Sequence, residues 1–107
     1  MFTLRRYIDA SGSEVLTDWL KSLNDRQARA RIDARLLRLQ GGNFGDCKPV
    51  RDGVSELRMD WGPGYRVYFS SMGKTVVLLL CGGDKGTQDS DIERAIACLR
   101  DFKRRAT

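Results

Sequence analysis

The spacing of apolar positions switches between a helical and a strand period along the chain, and the switches divide it into elements. Phe2 to Ile8 (FTLRRYI) alternates loosely and reads as a first strand. Ser11 and Glu14 stand three apart, a capping-box signature ahead of Val15, Leu16, Trp19, Leu20 and Leu23, which share one helical stripe. Asn24 and Asp25 break the pattern, and Asn24 with Gln27 offers a second cap. Arg26 to Leu39 then places Ala28, Ile32, Leu36 and Leu39 on one side, with Arg29, Arg31, Arg35 and Arg38 over much of the rest. The spacing predicts a helical hairpin with a short connection.

The glycines of GGNFG (41–45) suit the end of the second helix, and beyond them the period becomes two. CKPVR (47–51) reads as an edge strand, because Pro49 cannot donate to a central ladder. Val54 to Trp61 and Tyr65 to Phe69 read as a hairpin around Gly62, Pro63 and Gly64. Thr75 to Cys81 (TVVLLLC) is continuously apolar, as expected of a strand covered on both faces. Ser90 and Glu93 form a third capping box before Ile92, Ala95, Ile96, Leu99 and Phe102, a stripe that predicts a last helix packed on the sheet. The expected architecture is α+β in the order β-α-α-β-β-β-β-α, with a mostly antiparallel sheet, in a single domain spanning residues 1–107.

Within the hairpin, a three-residue loop would pair Trp61 with Tyr65, Asp60 with Arg66, and Arg58 with Tyr68. Leu57, Met59, Trp61, Tyr65, Val67 and Phe69 then face the core, and Glu56, Arg58, Asp60, Arg66, Tyr68 and Ser70 share the opposite, solvated face. Lys48 and Arg51 precede that face, and the loop GGDKG (82–86) brings Lys85 out of the central strand. Gly82, Gly83 and Gly86 are expected to let the backbone approach a ligand, although the loop matches no P-loop spacing.

Composition narrows the chemistry. Histidine is absent from the 107 residues, which excludes Ser-His and Cys-His nucleophilic sites and removes the usual zinc ligand. Asp84, Asp89 and Asp91 are better explained as charges at a helix start than as metal ligands, so neither metal nor cofactor is expected. The three cysteines lack a C-x-x-C pair and read as reduced thiols, two of them packed as small hydrophobes. A net charge of +5 favours a polyanionic or acidic partner. With no apolar run of membrane-spanning length and no signal-like h-region, the expected location is the cytoplasm, with no membrane partner.

The runs VSELRMDWGPGYRVYF (54–69) and VVLLLCGGDKGTQDSDIERA (76–95), at this separation, resemble the RelE/ParE superfamily of bacterial type II toxins. The resemblance is strongest to its phage-derived addiction module killer protein branch, related to HigB-type toxins. It implies a helical hairpin on a curved antiparallel sheet, a helix-turn-helix antitoxin as partner, and metal-independent cleavage of messenger RNA at the ribosome. It further implies that Arg66 stabilises the phosphate, that Arg58 assists it, and that Lys85 serves the phosphate or the leaving group. Lys48 and Arg51, which precede this face, are candidate RNA contacts, and Tyr68 is a candidate either for stacking or proton transfer in place of a missing aromatic or for a structural role. Two positions depart from the pattern: Glu56 stands where ribosome-dependent members carry a basic residue, and residues 87–91 contain no aromatic to stack on a base. Glu56 or Asp60 as the base is an alternative outside the family pattern. Inhibition of DNA gyrase by binding, as in ParE-like members, and a repressor partner with little toxicity also remain open.

Overall fold

The computed structural model describes residues 1–106. Its elements follow the expected order: β1 (Thr3–Arg6), α1 (Val15–Ser22), α2 (Arg26–Gln40), β2 (Cys47–Arg51), β3 (Val54–Arg58), β4 (Arg66–Met72), β5 (Val76–Gly83), a single 3-10 turn at Lys85–Thr87, and α3 (Gln88–Ala106). The five strands form one mixed sheet in the order β1-β5-β4-β3-β2. Only β1 runs parallel to its neighbour, β5, and the other pairs are antiparallel. The apolar run of β5 therefore lies between β1 and β4, and Pro49 lies on an edge strand.

Both faces of the sheet are covered. Leu16, Leu20, Ile32, Leu36 and Leu39 of the helical hairpin pack on Leu57, Val67, Phe69, Val77 and Leu79. On the other face Ala95, Ile96 and Leu99 of α3 pack on Val54, Tyr68, Leu78 and Leu80. The face expected to be solvated is thus a second core, in which Glu56, Tyr68 and Ser70 are all buried. The reason is geometric. The hairpin fills one face, so the apolar stripe of α3 finds cover only on the other.

The β3–β4 register also differs from the expectation. Arg58 lies opposite Arg66, Leu57 opposite Val67, and Glu56 opposite Tyr68. The strands end at Arg58 and resume at Arg66, leaving residues 59–65 as a wide loop. Met59 N–H donates to the Tyr65 carbonyl, and Gly64 N–H turns back to the Trp61 carbonyl. Gly62 and Gly64 take φ of 59° and 76°, which permits this path. Tyr65 can then meet Trp61 and Trp19 edge-on, with ring centroids 5.4 and 5.9 Å away. Because the slip is an even number of residues, each side chain keeps its predicted face.

The helix starts differ from the capping patterns in the sequence. Asp9 Oδ1 accepts from the Ser11 amide and hydroxyl and from the Ser13 amide, so Ser11 belongs to a turn centred on Asp9. Glu14 precedes α1 without a side-chain cap. Asp25, not Asn24, caps α2 by accepting from the Gln27 and Ala28 amides. Asp84 with Thr87 forms the box that starts the 3-10 turn and leads into α3. Ser90 instead bonds back to the Thr87 carbonyl, and Glu93 pairs with Arg51.

Two glycines singled out for ligand approach have internal roles. A Cβ on Gly82 would lie 2.3 Å from Trp19 Cε3, and one on Gly83 would collide with the Asp91 carboxylate. The indole and the carboxylate each occupy the space of a missing side chain. Gly82→Ala is expected to destabilise the protein by about 1–3 kcal/mol through overpacking, read by denaturant unfolding. Gly41→Ala is the control: φ there is −77°, the added Cβ meets only ordinary contacts, and stability should rise by about 0.4–1 kcal/mol.

The thiols are free, Cys81 and Cys98 buried and Cys47 half-buried. Burial pushes the Cys81 thiol up to about 12, and Cys98 moves upward for the same reason. A thiol titration at neutral pH should therefore detect Cys47 first, and the other two only as the protein unfolds.

Candidate active site

At one end of the sheet the covering layers stop short, and a shallow polar cleft of about 310 Å³ opens there, lined by Asp46, Arg58, Met59, Asp60, Arg66 and Lys85. Arg58, Arg66 and Lys85 reach it from separate segments: the end of β3, the start of β4 and the turn after β5. Their convergence follows from strand order, because β4 lies between β3 and β5 and pairs Arg66 with Arg58 on one side and Gly83 on the other.

Each cation is held by a different device. Asp46 Oδ1 accepts from Arg58 Nη2 at 3.0 Å and from Nε at 3.3 Å, and this bond and charge raise the guanidinium pKa further. Arg66 Nη1 donates to the Gly64 carbonyl at 2.8 Å, and the side chain is almost fully buried. Lys85 is exposed, but its amide donates to the Pro63 carbonyl, which ties its turn to the 59–65 loop. Gly64 is wedged between the two: a Cβ there would lie 3.1 Å from Arg66 Nη1 and 3.2 Å from Lys85 Cβ.

Behind the cleft lies a polar cluster that does not line it. Glu56 is fully buried, and its Oε2 accepts from Gln88 Nε2 at 2.7 Å. The same oxygen lies 3.8 Å from Arg66 Nε, while Oε1 lies 4.0 Å from Arg58 Nε. Tyr68 is fully buried under α3, and its hydroxyl has no hydrogen-bond partner among the described residues. Burial, reinforced by the charges of Glu56 and Asp91, raises its pKa well above the ordinary tyrosine range. Tyr68 therefore cannot stack on a base or exchange a proton at the surface, and of its two candidate roles the structural one fits its burial.

Of the basic residues expected to touch RNA, Lys48 is exposed on edge strand β2 opposite Glu56, and Arg51 is ion-paired with Glu93 of α3. Neither lines the cleft. Arg35, one of the four arginines expected to cover the outer side of α2, is half-buried. Its Nη1 donates to the Arg58 carbonyl at 2.6 Å, and Nη2 reaches the Phe44 and Asp46 carbonyls at 3.4 Å. It thereby holds the two chain segments that carry Asp46 and Arg58. Burial, then the charge of Arg38, lowers its pKa, though an arginine stays protonated. A sequence signal existed: Arg35 lies one residue before Leu36, at the border of the buried stripe of α2.

Among the described residues no group of three or more His, Cys, Asp or Glu has the arrangement to hold a metal ion. The cleft offers three cationic side chains and two carboxylates, a donor set suited to an oxyanion beside a proton acceptor. Gly64→Ala should disturb it from outside the charged set. The positive φ costs about 1–2 kcal/mol for a residue with a Cβ, and the new methyl must displace Arg66 or Lys85. Lowered thermal stability and altered Arg66 side-chain NMR signals are the expected outcome.

No protein-family model matches the chain. A protein of Haemophilus influenzae, described only as an uncharacterized protein, is 57% identical to it over 77 residues, covering 72% of this chain and 78% of that one. At that identity and coverage, the chain belongs to the same family as the Haemophilus influenzae protein.

Proposed function

We propose that the protein is a RelE/ParE-type toxin that cleaves messenger RNA without a metal, with a helix-turn-helix antitoxin as its partner and the cytoplasm as its place of action. The observation that carries this reading is the convergence of Arg58, Arg66 and Lys85, from three separate segments, on one polar cleft. These are the residues to which the resemblance to the toxin superfamily assigns the phosphate chemistry. A helical hairpin laid on one face of a mostly antiparallel sheet is compatible with it.

In this reading a backbone phosphate of RNA sits between the three cations. The 2′-hydroxyl oxygen attacks the adjacent phosphorus, and the bond from phosphorus to the 5′ oxygen breaks. Arg58 and Arg66 stabilise the charge that builds on the pentavalent phosphate. The exposed carboxylate of Asp60, in the cleft, takes the proton of the 2′-hydroxyl. Lys85 gives a proton to the departing 5′ oxygen. The products are a 2′,3′-cyclic phosphate and a free 5′-hydroxyl. Glu56 is not the base, because it is fully buried behind the arginines.

The test is to induce the protein and map the 5′ ends of cellular RNA. Cuts within translated frames are expected. Arg66→Ala and Lys85→Ala should each lower cleavage by about 10²–10³-fold, the scale for loss of one preorganised charge-stabilising donor. Undiminished growth arrest from both variants would sink the assignment. A DNA-damage response without RNA cuts would point instead to a gyrase-binding toxin.

A further inference from the structure

Arg58 and Arg66 lie directly opposite each other on antiparallel strands. Like charges in that relation repel, so two unassisted arginines would swing apart into solvent. Here they face one cleft, and Arg66 is nearly buried. The compensating charge behind them is Glu56, on the same strand and face as Arg58 and diagonal to Arg66.

We propose that Glu56 is a positioning residue: its buried carboxylate, anchored by Gln88, holds the facing guanidinium groups of Arg58 and Arg66 together as an anion clamp. This rests on the reading of the cleft as a phosphate site. The carboxylate divides its oxygens between the arginines, Oε1 toward Arg58 Nε at 4.0 Å and Oε2 toward Arg66 Nε at 3.8 Å. Gln88 Nε2, from the first residue of α3, donates to Oε2 at 2.7 Å and fixes the carboxylate from the far side.

The spacing suits a support better than a closed salt bridge. Both arginine contacts are longer than a hydrogen bond, and Glu56 Oε1 and Arg66 Nε are buried with no hydrogen-bond partner among the described residues. A fully buried carboxylate is costly unless compensated, so a group serving stability alone would be expected to close these contacts. Glu56 meets both arginines at Nε, the nitrogen nearest the chain. Among the described residues, Arg58 Nη1 and Arg66 Nη2 have no protein acceptor. The clamp thus keeps one outer donor of each arginine for a ligand oxygen, the geometry that favours recognition of a tetrahedral oxyanion. The acidic residue that departs from the toxin pattern at this position is then the anchor of the site.

The test uses Glu56→Gln, which keeps the shape and the bond with Gln88 but removes the charge, and Glu56→Asp, which keeps the charge on a shorter stem. The probe is inorganic phosphate, followed through the arginine Nε–H NMR signals of the full-length protein. In the wild type the Arg58 and Arg66 signals should shift together. Glu56→Gln should weaken phosphate binding about tenfold or more, the scale for losing a charged partner, and broaden both signals, and Glu56→Asp should recover part of the loss. On an RNA oligonucleotide, Glu56→Gln should raise KM as well as lower kcat, because the clamp holds the phosphate in both the ground and the transition state. Wild-type signals unmoved by phosphate, or a folded Glu56→Gln variant that binds phosphate like the wild type, would overturn the proposal. Should Glu56→Gln fail to fold, Gln88→Ala decides: it frees the carboxylate, so weaker phosphate binding supports the clamp and unchanged binding refutes it. If phosphate binding depends on Glu56 but RNA stays intact, the ribonuclease reading fails and the clamp stands. If RNA is cut equally by wild type and Glu56→Gln, the clamp fails and the ribonuclease reading stands.

Discussion

The central strands β3, β4 and β5 are covered on both faces, and the rest of the structure answers to that constraint. The helical hairpin covers one face and α3 the other, so polar side chains on these central strands lie inside a core or near a strand end. Tyr68, in mid-strand, is sealed. Arg58 and Arg66, at the end of β3 and the start of β4, reach the cleft where the cover stops. The difference between a structural and a chemically available residue is here a matter of two or three positions along a strand.

Gathering like charges at the end of a buried sheet requires compensation, and the fold supplies it from several directions. Asp46 holds Arg58 from the segment before β2, and Glu56 lies behind both arginines. Backbone carbonyls of the 59–65 loop take Arg66. Arg35 grips three backbone carbonyls of the chain that carries Asp46 and Arg58. These bonds join α2, the β2 approach, β3 and α3 into one support. The geometry of the cations is therefore a property of the whole domain, and changes at Arg35 or Gln88 are felt at a distance.

Much of the fold was legible because hydrophobic period and strand parity are local. The stripe Ala28, Ile32, Leu36 and Leu39 read as a helix face and is one, and the run Thr75 to Cys81 read as a doubly covered strand, which β5 is, although the strand continues through Gly82 and Gly83. Parity also assigned Leu57, Val67 and Phe69 to one core and Glu56 and Tyr68 to the opposite face. It failed on register, because the 59–65 loop is shaped by the packing of Trp61 and Tyr65 with Trp19, a residue some forty positions earlier. Capping patterns misled where a nearby carboxylate offered a better bond, as Asp9 does for Ser11 and Asp25 does in place of Asn24.

The sequence by itself determined the order of the elements, the faces of the strands, and the candidacy of Arg58, Arg66 and Lys85, since each depends on period, turn residues or local motif. Only the tertiary structure decided that the polar face of β3 and β4 is covered by α3, that Tyr68 is closed off, and that Gly82 and Gly83 make room for Trp19 and Asp91. It alone disclosed Arg35 and Glu56 as supports of the cationic pair. The physical reason is that burial and charge compensation are relations between distant segments. A pattern along one strand states which way a side chain points, and the rest of the chain decides what it meets there.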